Sequence, residues 1–251
     1  MEWEGPLRGM EFEDDAYVLS ARAHGETGAI ADILTAEHGR MVGHVAGGAS
    51  RRLKPVLQPG TRVIVRYRAR VSEQMGAMGL EAVGEGPAAL FDDALALAGI
   101  ASAAAVATAL PEREPHPGAF FAFEALSAAV GALEAWPAVY VRYEAGLLQE
   151  LGFGLDLSKC AATGAMDDLI YVSPRTGRAV SREAGAPYAD RLLRLPPFLL
   201  SSQGGLEDGD VGAGLGLTGH FLETFVFAAL NRPLPPARMW LLDRLGDAGR
   251  L

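Results

Sequence analysis

Nine basic side chains lie close together in one stretch of this chain: Arg22, Arg40, Arg51, Arg52, Lys54, Arg62, Arg66, Arg68 and Arg70. Only Glu26, Asp32 and Glu37 oppose them between residues 16 and 72. Guanidinium and ammonium groups at this density are suited to binding phosphates or carboxylates. The surroundings are acidic. Residues 1–15 hold six acids against Arg8, and the whole chain has a formal net charge of −9. A cationic block inside an acidic chain points to a polyanion surface confined to one module.

Part of that block follows a strand pattern. Across residues 61–71, Val63, Val65, Tyr67, Ala69 and Val71 alternate with Arg62, Ile64, Arg66, Arg68 and Arg70, giving one apolar and one basic face. Upstream, Gly47-Gly48-Ala49-Ser50-Arg51-Arg52-Leu53-Lys54-Pro55 is a flexible basic connector between two strands. By charge and strand phase, Arg51, Arg52, Lys54, Arg66, Arg68 and Arg70 are the leading candidates for phosphate contacts, followed by Arg22, Arg40 and Arg62. A merely solvated face, or arginines paired with acids elsewhere in the chain, remains an open alternative. Tyr17 and Tyr67 are the only aromatics at hand and Tyr67 sits on the apolar face, which argues against a stacking-dominated single-strand binder.

Other constellations carry less. Gly214-Leu-Gly216-Leu-Thr-Gly219 matches G-x-G-x-x-G, but an acidic Glu207-Asp208-Gly209-Asp210 segment precedes it where a dinucleotide site needs a strand. It reads as a Gly-rich loop entering a helix capped near Thr218. Glu207, Asp208 and Asp210 lack the spacing of a calcium loop. His24, His38, His44, His116 and His220 are scattered without metal-ligand spacing. No G-x-S-x-G, no G-x-x-x-x-G-K and no paired catalytic carboxylates are present, so no enzyme activity and no cofactor are expected.

The elements that position these residues fall into two halves. Residues 17–23, 27–35, 40–46 and 61–71 read as short strands, with a weaker one at 78–83. Five strands without an intervening helix predict a small closed barrel within residues 1–85. Helical patterning follows over 86–251: helices at 88–110, 118–134 and 137–151, an irregular segment at 156–186 with a strand at Leu169–Ser173, a Gly/Asp-rich loop at 201–217, and helices at 218–231 and 235–246. The fold class is therefore α+β. Ala94–Leu110 is short of the ~20 strongly apolar residues a membrane span needs. No signal peptide is expected and the lone Cys160 suits a reducing compartment, so the expected location is cytoplasmic.

Several runs together resemble the RecO family of bacterial recombination mediators. They are Tyr17–Thr27, Glu37-His38-Gly39-Arg40, Gly47-Gly48, Arg51-Arg52, Leu57–Gly60, Glu144–Phe153, Leu157–Cys160, Ser173–Gly177, Gly185–Tyr188 and Leu217–Glu223. They cover nearly the whole chain in order. The resemblance implies an oligonucleotide-binding (OB) barrel followed by a helical domain with a zinc-finger-like insertion at about 156–186. It implies binding of single- and double-stranded DNA, annealing of complementary strands, and loading of RecA with RecR onto DNA coated by single-strand-binding protein. Engagement of that protein's acidic C-terminal tail is also implied, and Arg142, among Trp136, Tyr140, Leu147 and Leu148, is a candidate for it. A buried helix pair is the alternative for Arg142. Many relatives hold zinc with four cysteines. Here Cys160-Ala-Ala-Thr163 keeps one and the later positions, around Ser181 and Ala184, have none, so no metal is expected. Apolar packing by Leu169, Tyr171 and Val180 must then hold the insertion. Against all this stands a protein-interaction scaffold whose basic module binds an acidic protein instead of DNA.

Overall fold

The computed structural model describes residues 9–71, 74–201 and 204–251. The chain divides into two compact units between Phe121 and Ala122. In the first, β1 (Met10–His24), β2 (Gly28–Thr35), β3 (Arg40–Val45), β4 (Arg62–Ala69) and β5 (Gly76–Ala82) close into a barrel in the order β1-β2-β3-β5-β4. All neighbours run antiparallel except β3 and β5. This is the expected OB-type barrel. Val63, Val65, Tyr67 and Ala69 face inward beside Ala16, Val18, Ile33, Met41 and Met78, as a two-residue period requires. Where β3 meets β5, a Cβ on Gly43 would lie 2.7 Å from Met78 Cγ, so the seam admits no side chain there.

β1 begins at Met10, seven residues before the expected start at 17. Acidic residues are depleted in strands, which hides this half of β1 in the sequence. Cross-strand partners override the propensity: Glu11 lies opposite Arg68 and Glu13 opposite Arg66. β1 pairs with β4 over Met10–Tyr17 and with β2 from Ala16 onward, and a register shift between Val18 and Ser20 interrupts the β1–β2 ladder. The helix expected at 88–110 is interrupted. A 3-10 turn spans Gly86–Leu90, and Asp93 caps α1 (Ala94–Ala107) by accepting a hydrogen bond from Ala96 N at 2.8 Å.

Two further helices follow, α2 (Pro117–Ala129) and α3 (Trp136–Glu150). α2 stops five residues short of the expected 134, and Gly131 just beyond it takes a left-handed φ of 79°. A small sheet in the order β7-β6-β8 joins β6 (Leu169–Val172), β7 (Ala179–Ser181) and β8 (Leu193–Arg194), with the single turn α4 (Arg182–Gly185) after β7. Leu169, Val172, Ala179 and Val180 are buried. Tyr171 packs so closely on Gly185 that a Cβ there would meet its ring at 2.5 Å.

The loop expected at 201–217 is corrected beyond Gly209; Ser202 and Gln203 lie outside the described residues. α5 starts at Asp210 and runs to Phe221, continuing through wider π-type turns over Leu222–Phe227. Its glycines serve close packing. A Cβ on Gly214 would lie 2.8 Å from Val141, and one on Gly219 2.9 Å from the Arg238 guanidinium. Thr218 is not a cap but a buried mid-helix residue. The last helix is α6 (Pro236–Asp247).

α3, α5 and α6 meet at a buried carboxylate. Arg238 Nε and Nη2 donate to the two Glu144 oxygens at 2.7 and 2.9 Å, and Nη2 also donates to Leu215 O at 2.8 Å. The hydroxyls of Tyr140 and Thr218 donate to the same carboxylate at 2.9 and 2.5 Å. Burial by itself would lower the pKa of Arg238, yet the Glu144 charge holds it above its ordinary value. Burial, reinforced by Glu144, pushes the Tyr143 hydroxyl upward. Among the described residues no helix is long and apolar enough to cross a membrane.

Candidate nucleic-acid interface

The outward face of β4 presents Arg62, Ile64, Arg66 and Arg68 as the alternation requires, but its guanidiniums are not free. Arg66 Nε donates to Glu13 at 2.6 Å, Arg68 Nη2 to Glu11 at 2.6 Å, and Arg62 to Asp15 at 2.5 and 3.0 Å. Glu81 stands 4.0 Å from Arg66 on the other side. The hydrogen bonds from Arg66 to Glu13 and from Arg68 to Glu11 hold both guanidiniums above their ordinary pKa. Strand pairing thus lays the acidic start of the chain across its most basic strand. The signal lay in the period-2 spacing of Glu11, Glu13 and Asp15.

Arg40 is held by contacts within the first unit. Its guanidinium grips Asp32 through three bonds of 2.7 to 3.1 Å and donates to Leu110 O at 3.0 Å. The outward positions of β2, Ile30, Asp32 and Leu34, are as buried as the inward ones. OB barrels commonly bind oligonucleotides on the face of strands 2 and 3, and in this chain β2 leaves little of that face open.

The open cations lie elsewhere. Arg22, Arg51, Arg52, Lys54 and Arg70 are exposed and make no ion pair among the described residues. The first four lie on two segments that touch. Ala49 N, at the start of the connector, donates to Thr27 O in the β1–β2 hairpin at 3.0 Å. The connector turns over Ser50–Gln58 and reaches β4 where the Thr61 hydroxyl meets Pro55 O at 3.4 Å. Arg70 follows the far end of β4.

In the second unit, Arg142 lines a shallow cavity of about 270 Å³ with Ala145, Phe198, Leu199, Leu200 and Ser201, not with the side chains expected around it. Trp136, Tyr140, Leu147 and Leu148 turn into the core. The guanidinium donates to Phe198 O at 2.7 and 3.0 Å and to Ser201 O at 2.9 Å, pinning that segment. His38 contacts Asp14 at 2.8 Å and His220 contacts Pro174 O at 3.0 Å, so both are engaged locally. Gly214, Gly216 and Gly219 lie inside α5, with no strand leading into them as a dinucleotide site requires.

The insertion does not fit zinc. Cys160 Sγ accepts hydrogen bonds from Ser181 N and Oγ at 3.3 and 3.4 Å. No three His, Cys, Asp or Glu side chains converge among the described residues as a metal group would need. Burial by itself would raise the thiol; hydrogen bonds from Ser181 and Thr163 outweigh it and bring it down to about 6.

The fold is that of an OB-type barrel protein with a helical second unit. Models described as Recombination protein O N terminal and C terminal match residues 10–79 and 92–232. A DNA repair protein RecO of Phenylobacterium zucineum is 74% identical over 243 residues, covering 96% of this chain and all of the relative. One of Caulobacter vibrioides is 73% identical with the same coverage. One of Rhodospirillum centenum is 55% identical over 95% of this chain and 96% of its own length. The chain belongs to the RecO family of DNA repair proteins.

Proposed function

We propose that this protein is a recombination mediator without a chemical step. It binds single- and double-stranded DNA, anneals complementary strands and, with RecR, helps load RecA onto DNA coated by single-strand-binding protein. Residues 1–85 act as the DNA-binding domain and residues 86–251 as the partner-binding part, in the cytoplasm at the nucleoid. The observation that carries this is the set of exposed cations without carboxylate partners among the described residues, Arg51, Arg52 and Lys54 with Arg22 on the adjoining hairpin, on an OB-type barrel of an acidic chain. The carboxylates that meet Arg62, Arg66 and Arg68 make those three secondary contributors. The single-strand-binding-protein tail is a proposed partner, with Arg142 and the cavity it shares with Phe198 and Leu200 as the proposed contact.

Fluorescence anisotropy of a labelled oligonucleotide across a salt series tests this. Wild type is expected to lose affinity linearly in log–log coordinates, and Arg51→Glu/Arg52→Glu to bind more weakly with a shallower slope. Absence of binding at low salt would overturn the DNA reading. It would favour the acidic-protein alternative, for which the carboxylates already seated on Arg66 and Arg68 are a precedent.

A further inference from the structure

Between the connector and the β4–β5 edge lies a groove of about 440 Å³. Leu53, Val56, Ile64 and Leu80 form its apolar floor, with Arg52 and Arg66 at its rim. Leu53, Val56 and Leu80 are only partly buried against the barrel core, so apolar surface is left open beside cations. We propose that this groove is a subsite for the unpaired base of single-stranded DNA, which rests on the DNA-binding reading above.

Charge decides between base and phosphate. Glu81 lines the groove, and Glu13 already occupies Arg66. A phosphate inside would be repelled by Glu81 and would find Arg66 already paired with Glu13, whereas a neutral base meets neither penalty. Arg52, which makes no ion pair among the described residues, is left at the rim to meet the backbone of the same nucleotide. An apolar floor accepts the π-face of any base, and the carboxylate at its edge accepts hydrogen bonds from exocyclic amino groups. Bases stacked in a duplex cannot enter, so the subsite discriminates in favour of single strands.

Gly79 is the second observation. It sits outward on β5 opposite Arg66, and a Cβ added there would meet nothing closer than Arg66 Cβ at 3.9 Å. A side chain at this position is sterically tolerated and would project into the groove, where the native sequence leaves room.

Anisotropy titrations of the full chain with a single-stranded oligonucleotide and with an abasic strand of equal length test the proposal. Wild type is expected to bind the base-bearing strand about tenfold more tightly, as burial of roughly 55 Å² of base against aliphatic side chains would give. Gly79→Leu, with melting temperature preserved, is expected to lower that affinity to the abasic level without changing the salt slope. Arg52→Ala should weaken both strands. Equal wild-type affinity for the two strands overturns the base subsite while leaving DNA binding intact. Failure to bind either strand overturns the DNA reading itself. Should Gly79→Leu not fold, photocrosslinking of wild type to a strand carrying a photoreactive uracil decides the matter. Crosslinks within residues 52–66 or 76–82 support the subsite, and crosslinks only elsewhere refute it.

Discussion

Two sets of ion pairs, one in each unit, use the same chemistry in opposite ways. On the barrel, Arg66 and Glu13 have side chains 69% and 57% exposed, and solvent screens them. In the helical unit, Arg238 and Glu144 are 2% and 0% exposed and every charge is answered by a hydrogen bond. Burial separates structural charge from charge that remains available to a ligand. Sequence charge counts cannot make this distinction, because both sets contribute alike to the net charge.

The largest effect is expected from breaking the buried pair. Arg238→Ala leaves Glu144 charged in the core and should cost about 3–5 kcal/mol in urea unfolding, with much of it recovered in Glu144→Gln/Arg238→Met. If the single variant unfolds like wild type, the contrast between the units fails. Next come the open cations. Arg51→Ala/Arg52→Ala/Lys54→Ala should reduce the salt slope for single strands by about 2, and Arg66→Ala/Arg68→Ala by clearly less than removing two open cations. A reversed order would mean that the carboxylates of β1 do not compete with phosphate.

Cys160→Val, which leaves Ser181 N–H and O–H without their sulfur acceptor, should cost about 1–3 kcal/mol, while Cys160→Ser retains an acceptor and costs less. A chelator should leave the wild-type melting temperature unchanged. Because the folded thiol lies below its unfolded value, wild type should gain stability over Cys160→Ser as pH rises from about 6 to 9. It should lose that advantage as pH falls through 6. The smallest effect belongs to Glu11→Gln/Glu13→Gln, expected to leave thermal melting unchanged because both carboxylates are solvent-screened.

The barrel was legible because β4 states its own period: the residues that alternate in sequence alternate between core and solvent. Its charge balance was not, since Glu13 and Arg66 are 53 residues apart and meet only through strand register. Glu144 and Arg238, separated by 94 residues, had no local pattern to reveal them. The glycines of α5 misled for a different reason. Glycine disfavours helix in isolation, and only the close approach of Val141 and Arg238 makes it necessary there. Cys160 was legible as a lone thiol, but its bonds to Ser181 required the fold.

The strand edge at Arg40 is covered by the chain itself. β3 pairs with β5 only over Gly43–Val45, so the start of β3 would present a bare strand edge. The chain covers this edge itself: Glu112 forms a parallel bridge to Arg40, and Arg113 N donates to Arg40 O at 2.8 Å. Gly39 lets this segment approach, since a Cβ there would collide with the backbone of Glu114. Unpaired edges template aggregation. A barrel cut after residue 85 would therefore have lost its edge cover and should associate with copies of itself, whereas one extended through Phe121 should remain monomeric.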